Sequence, residues 1–143
     1  TVLIIGILAA VAAPKFATAY ARLQAEATAR RIASDLNYAR RAARQTSQTA
    51  VVTFRTSPAG YDMENVEHPA YPSQSYSVNL SDVESNILLE QVSFDGSNQL
   101  RFNSYGRPLV GTTPLLNGFV KVRSGTSAAT ITIDPSTGEA TFP

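Results

Sequence analysis

From Thr1 to Ala13 the chain carries no charged side chain, and Pro14-Lys15-Phe16 follows at once. A segment of that composition is too apolar to stand alone in water, and this limits the folds open to the whole chain. Wound as a helix at about 1.5 Å per residue it would be roughly 20 Å long, short of a hydrocarbon core of about 30 Å. Three readings compete for it: the hydrophobic stretch of a secretory signal, a buried core helix, or part of a helix that inserts in a membrane. Leu8-Ala9-Ala10 and Ala10-Val11-Ala12 resemble small-residue cleavage sites and support the first. The residues beyond Pro14 favour the third.

Between Phe16 and about Gln45 there is no glycine or proline, and alanine, leucine, arginine, glutamine and glutamate dominate, so a long helix is expected. At 100° per residue, Phe16, Tyr20, Leu23 and Ala27 fall on one stripe. Ala25, Ala29, Ile32, Leu36, Ala39 and Ala43 fall on a second, roughly opposite the first. One helix therefore has apolar faces on opposite sides at its two ends. The later stripe, through Ile32, Leu36, Ala39 and Ala43, can cover a sheet of its own chain. The earlier one needs neighbours, which implies a rod projecting from a head. Pro14 removes a backbone donor and disfavours helix at Ala13, and Gly6 is a second weak point, so a kink or unwound stretch is expected between them.

The charge is unevenly placed. Lys15, Arg22, Arg30, Arg31, Arg40, Arg41 and Arg44 face only Glu26 and Asp35 in the helical stretch, a balance of +5 within a chain whose net charge is +1. A basic rod on an acidic head can attract copies of itself, with Arg22, Glu26, Arg30 and Arg31 as candidates for contacts between subunits; a solvated helix face is the plainer account of most of these arginines. Glu26 with Arg30, and Arg31 with Asp35, are i,i+4 neighbours, each worth a few tenths of a kcal/mol.

Strand signals begin near Ala50. Thr49 to Arg55 is rich in β-branched and aromatic residues, and Ser57-Pro-Ala-Gly60 turns it into Tyr61-Asp-Met-Glu64. Further strands are expected at 75–80, 87–94, 100–104, 118–123, 129–133 and 139–142, separated by Asp95-Gly96, Tyr105-Gly-Arg-Pro108 and Asp134-Pro-Ser-Thr-Gly138. Strands following one another without helices between them pair antiparallel. The expected fold is α+β, a long N-terminal helix packed on an antiparallel β head. It divides into an apolar helix half at 1–24, an amphipathic half at 25–47 and the head at 48–143.

Catalysis finds little support. His68 is the single histidine and sits in the loop Glu67-His-Pro69, Asp82, Glu84 and Asp95 match no metal-binding loop, and Gly106-Arg-Pro-Leu-Val-Gly111 lacks the lysine of a phosphate cradle. With no cysteine there is no thiolate nucleophile or ligand. No cofactor and no small-molecule substrate are implied. Arg40, Arg41 and Arg44 form a basic cluster, but they end a helix, where cations also favour the dipole, so nucleic acid is a disfavoured partner.

Ile4-Ile-Gly-Ile-Leu-Ala-Ala-Val-Ala-Ala-Pro-Lys-Phe16 resembles the N-terminal helix of type IV pilins and of the pseudopilins of type II secretion. Ala33-Ser-Asp-Leu-Asn-Tyr-Ala-Arg40, Val51-Val-Thr-Phe54 and Ile131-Thr-Ile-Asp-Pro-Ser-Thr-Gly138 resemble the GspH/FimT branch of that superfamily. The resemblance implies a structural subunit that waits in the inner membrane and polymerises into a periplasmic or extracellular helical filament of the cell envelope. Its partners would be copies of itself, other pilin-like subunits and an assembly platform. The filament core would hold Leu3, Ile4, Ile5, Ile7, Leu8, Val11, Phe16, Tyr20 and Leu23, and the stretch from Gly6 to Pro14 would melt on entering it. About eight residues would precede Thr1, bringing the apolar segment to the ~21 residues of a bilayer span; the methylated phenylalanine and the glutamate of the family correspond to no residue here. A minor tip or initiating pseudopilin, and a DNA-binding minor pilin, are the alternatives within the branch. The closing Glu139-Ala-Thr-Phe-Pro143 lacks the arginines that the last of these would need.

Overall fold

A computed structural model describes residues 2–83 and 86–143; Thr1, Glu84 and Ser85, and the side chains of residues 2–5, 8, 11, 12 and 83, lie outside the described residues. One helix, α1 (Val2–Thr46), leads into a head built of β strands. Its uninterrupted alanine-rich run carries it to Thr46, and Ser47 then adopts a left-handed backbone, φ 56°, that ends it. The helix is continuous through Gly6 and Pro14, so the break expected between them is not present in the single subunit. Proline costs the helix one amide donor, which a solvent-exposed turn tolerates, and the Thr18 hydroxyl donates to the Pro14 carbonyl at 3.0 Å.

Two antiparallel sheets follow. The first has the order β3-β2-β1-β5-β6-β7, from β1 (Ala50–Thr56), β2 (Ala59–His68), β3 (Tyr71–Asn79), β5 (Gln99–Phe102), β6 (Pro108–Val110) and β7 (Thr113–Pro114). The second has the order β10-β9-β8-β4, from β4 (Ile87–Phe94), β8 (Gly118–Ser124), β9 (Ser127–Ile133) and β10 (Ala140–Thr141). A single helical turn, α2 (Leu80–Val83), lies between β3 and β4. The strand at 87–94 falls where its alternation places it. β6 and β7 were not expected, being too short to show a pattern, and β3 begins at Tyr71, in a proline-containing polar stretch that only an edge strand accepts.

The core lies between the later half of α1 and both sheets. Ala29, Ile32, Leu36, Ala39 and Ala43 are buried against Val52, Phe54, Tyr61, Phe102, Val120, Val122 and Ile131. Alanines at most of these helix positions let the backbone approach the sheets closely, while Ile32 and Leu36 supply the apolar bulk, about 1.5–3 kcal/mol each on burial.

On the edge strand β4 the ladder with β8 shifts register between Leu89 and Gln91. The residue between them, Glu90, pairs with both Lys121, at 3.3 Å, and Arg123. A bulge and a charged cluster on an edge also discourage unwanted strand pairing.

Candidate assembly surface

The surface singled out in the sequence is the free half of α1. Phe16, Tyr20 and Leu23 are all exposed, Leu23 at 64%, as is Ile7. On the opposite side the helix meets the head at Ala21, and the contact deepens within a turn. The Ser124 hydroxyl donates to the Gln24 side-chain carbonyl at 2.8 Å, and Ala25 is buried at 1%. Leu36 is buried to the same degree. The same helix thus has one apolar stripe packed on its own head and another facing solvent. Leu3, Ile4, Ile5, Leu8 and Val11, expected with Phe16, Tyr20 and Leu23 in a filament core, have side chains outside the described residues.

The charged candidates are paired within the chain. Arg22 reaches Glu26 at 2.9 Å, Arg30 reaches the same carboxylate at 3.9 Å, and Arg31 stands 3.9 Å from Asp35. Exposed pairs of this kind are worth well under about 1 kcal/mol, so the cations stay available to a neighbour. The Arg30 guanidinium also lies over the Phe142 ring, 5.6 Å from its centroid, tying the helix to the chain's end.

What holds the rod at a fixed angle to the head is a set of polar contacts on the packed face. The Asp35 carboxylate accepts hydrogen bonds from the hydroxyls of Tyr61, at 2.5 Å, and Tyr76, at 2.9 Å. Burial first, and then the Asp35 charge, hold Tyr61 well above the usual range of a phenol and push Tyr76 up to about 12. Two residues on, the Asn37 amide donates to the Ala140 carbonyl at 2.8 Å and accepts from the Ala140 amide at 3.0 Å, acting as a strand partner for β10. Arg40 donates to the Thr137 carbonyl at 2.8 Å. That carbonyl is presented by a turn in which Asp134 accepts from the amides of Ser136 and Thr137 and from the Ser136 hydroxyl. These bonds hold the Asp134 carboxyl below the usual carboxylate range, the Ser136 hydroxyl foremost.

Gly138 closes that turn with φ 76°, and a Cβ there would lie 2.7 Å from the Gly106 carbonyl oxygen. Gly106, φ 79°, in turn lies beneath Arg44, whose Cδ would be 2.8 Å from an added Cβ. Periodicity alone missed these contacts, because each joins residues far apart in sequence. Their signal was nonetheless present: Asp35, Asn37 and Arg40 are polar residues flanking the apolar positions Leu36 and Ala39, inside the stretch that carries the pilin resemblance.

Two of the residues considered for chemistry, Asp95 and His68, are occupied otherwise, and Glu84 lies outside the described residues. The Asp95 carboxylate accepts from the amides of Leu116 and Asn117, each at 2.8 Å, and fixes the approach to β8. His68 Nδ1 accepts from the Ala70 amide at 3.1 Å, and its ring packs against Tyr71 and Tyr76. Among the described residues no group of His, Cys, Asp and Glu could hold a metal ion, and no helix is long and apolar enough to cross a membrane.

A family model described as Type II transport protein GspH matches residues 28–140. No curated protein and no solved structure matches the chain. The family match covers the packed helix half and nearly all of the head, including the Asp35, Asn37 and Arg40 contacts and the turn at Asp134. It begins beyond Leu23, so the exposed stripe has to be read on its physical chemistry. With most of its length matched, the chain belongs to the GspH family of type II transport proteins, a branch of the type IV pilin-like superfamily.

Proposed function

We propose that the protein is a structural subunit of a type II secretion or type IV pilus-like filament, and that it polymerises through the apolar half of its helix. The observation that carries this reading is the exposure of Phe16, Tyr20 and Leu23 on a helix whose opposite apolar face is already packed. Three such side chains left in water cost roughly 1.5–3 kcal/mol each relative to burial, and neighbouring helices would recover that.

In this account residues 1–24 form the membrane- and filament-embedded half, 25–47 the half that carries the head, and 48–143 the head. Before assembly the apolar end is held in the inner membrane, where lipid solvates it about as well as other helices would, so the transfer into a filament needs an external motor. Gly6 and Pro14 lower the cost of unwinding the intervening stretch during that transfer. Other pilin-like subunits and an assembly platform are the partners, and the cell envelope is the place. A polymer-forming role needs no catalytic group, substrate or cofactor.

Replacing Leu23 with Asp tests the reading. A buried unpaired carboxylate costs several kcal/mol per subunit, so filaments should disappear while the head still melts cooperatively. Filaments of normal yield from Leu23→Asp would overturn it.

A further inference from the structure

The C-terminal end of α1 meets the turn between β5 and β6, and arginines without a carboxylate gather there. Arg22, Arg30, Arg31, Arg55 and Arg123 each reach an acidic side chain. Among the described residues Arg40, Arg41, Arg44 and Arg107 reach none, and Arg41, Arg44 and Arg107 are exposed. Arg41 and Arg44 line a shallow hollow of about 310 Å³ with Gln45. Beside it Gly106 sits against Arg44 and Arg40, where an added Cβ would lie 2.8 Å from the Cδ of the first and 3.2 Å from the Cγ of the second. Asn103 Oδ1 accepts from the amides of Tyr105 and Arg107, each at 3.0 Å, and the Asn103 carbonyl accepts from the Gly106 amide at 2.8 Å. On this pinned turn Tyr105 stands out in solvent, 81% exposed. The helix dipole favours a cation in the last turn of α1, which accounts for Arg44. It gives no reason for Arg107 and Tyr105, which come from a different element.

We infer that Arg41, Arg44, Arg107 and Tyr105 form a docking surface for an acidic segment of a partner protein, one that carries several Asp or Glu side chains close together. Arginine and tyrosine are the side chains that most often anchor protein interfaces, and a guanidinium holds a carboxylate through two parallel hydrogen bonds. A turn that is already fixed loses little freedom on binding. Nucleic acid fits this surface less well. Gly138 abuts Gly106, so its turn brings the exposed Asp134 and Glu139 beside the arginines, where they repel a continuous phosphate backbone but leave room for a compact acidic segment. Arg44 also lies about 30 residues beyond Pro14, roughly 45 Å along the helix, so a membrane that holds the apolar end does not reach it. The surface belongs to the head and is independent of the polymerisation proposed above.

Fluorescence anisotropy of a labelled peptide bearing a run of glutamates, titrated with the full-length chain in neutral detergent at moderate salt, tests it. Arg41→Gln with Arg44→Gln should weaken binding at least about tenfold, and Tyr105→Ala, which changes no charge, at least about threefold. Arg22→Gln with Arg30→Gln removes the same charge elsewhere on the helix and should change binding less than about twofold. All these side chains are exposed, so the thermal melts of the variants should match the parent. No binding of the peptide, or equal losses from the two arginine pairs, would overturn the inference. A DNA duplex that binds more tightly than the peptide, and loses affinity with Arg41→Gln and Arg44→Gln, would overturn it in favour of nucleic acid.

Discussion

Leu23 and Leu36 stand a few turns apart on one unbroken helix, and Leu23 is 64% exposed while Leu36 is 1% exposed. The same side chain on the same scaffold is therefore stabilising the subunit at one position and left facing solvent at the other.

In the dispersed subunit the two leucines should respond differently to truncation. Leu36→Ala removes bulk from a sealed core and should cost about 2–5 kcal/mol in thermal or denaturant unfolding. Leu23→Ala should stay within about 0.5 kcal/mol of the parent, since exposed positions away from special features rarely exceed that.

Alkaline pH should loosen the helix from the head. Tyr76, pushed up to about 12, and Tyr61, raised further, are protonated in the folded subunit, whereas in the unfolded chain they titrate near the ordinary value of about 10. The unfolded state therefore releases protons first as pH rises. The stabilisation is whole below about pH 10 and should fall progressively as pH climbs through about 12. Denaturant melts across this window check the slope, and Tyr76→Phe should flatten it.

Among the described residues the Asn37 side chain holds both the carbonyl and the amide of Ala140. Asn37→Ala should strand both polar groups of Ala140 and cost about 1–3 kcal/mol. Amide exchange at Ala140 should accelerate well before exchange in β8, where every residue of the strand is paired on both sides.

At Gly138 a methyl group would meet the Gly106 carbonyl oxygen and a left-handed backbone at once. Gly138→Ala should destabilise by more than about 1 kcal/mol, whereas the same change at Gly111, with open space around it but φ 61°, should cost less. Parallel thermal melts of the two variants give the comparison.

The helix and its two stripes could be read from sequence because an alanine-rich run without glycine or proline leaves the 3.6-residue period undisturbed. Most of the strands could be read too, since valine, isoleucine and phenylalanine alternate with polar residues between turn signals. The division into two sheets could not, because alternation marks which face of a strand is apolar and says nothing of its neighbour. The partners of Asp35 and Asn37 lie across the fold, at Tyr61, Tyr76 and Ala140, and only tertiary structure brings them together. Pro14 shows a local rule yielding: it disfavours helix at Ala13, yet the helix continues past both.

Thiol labelling at Leu23→Cys, in an otherwise cysteine-free chain, reads the central claim most directly. The cysteine should react rapidly with a maleimide in detergent-dispersed subunits and be strongly protected in the assembled form. Equal reactivity in both forms, with the assemblies intact, would mean that the exposed stripe faces water in the polymer and that the account is wrong.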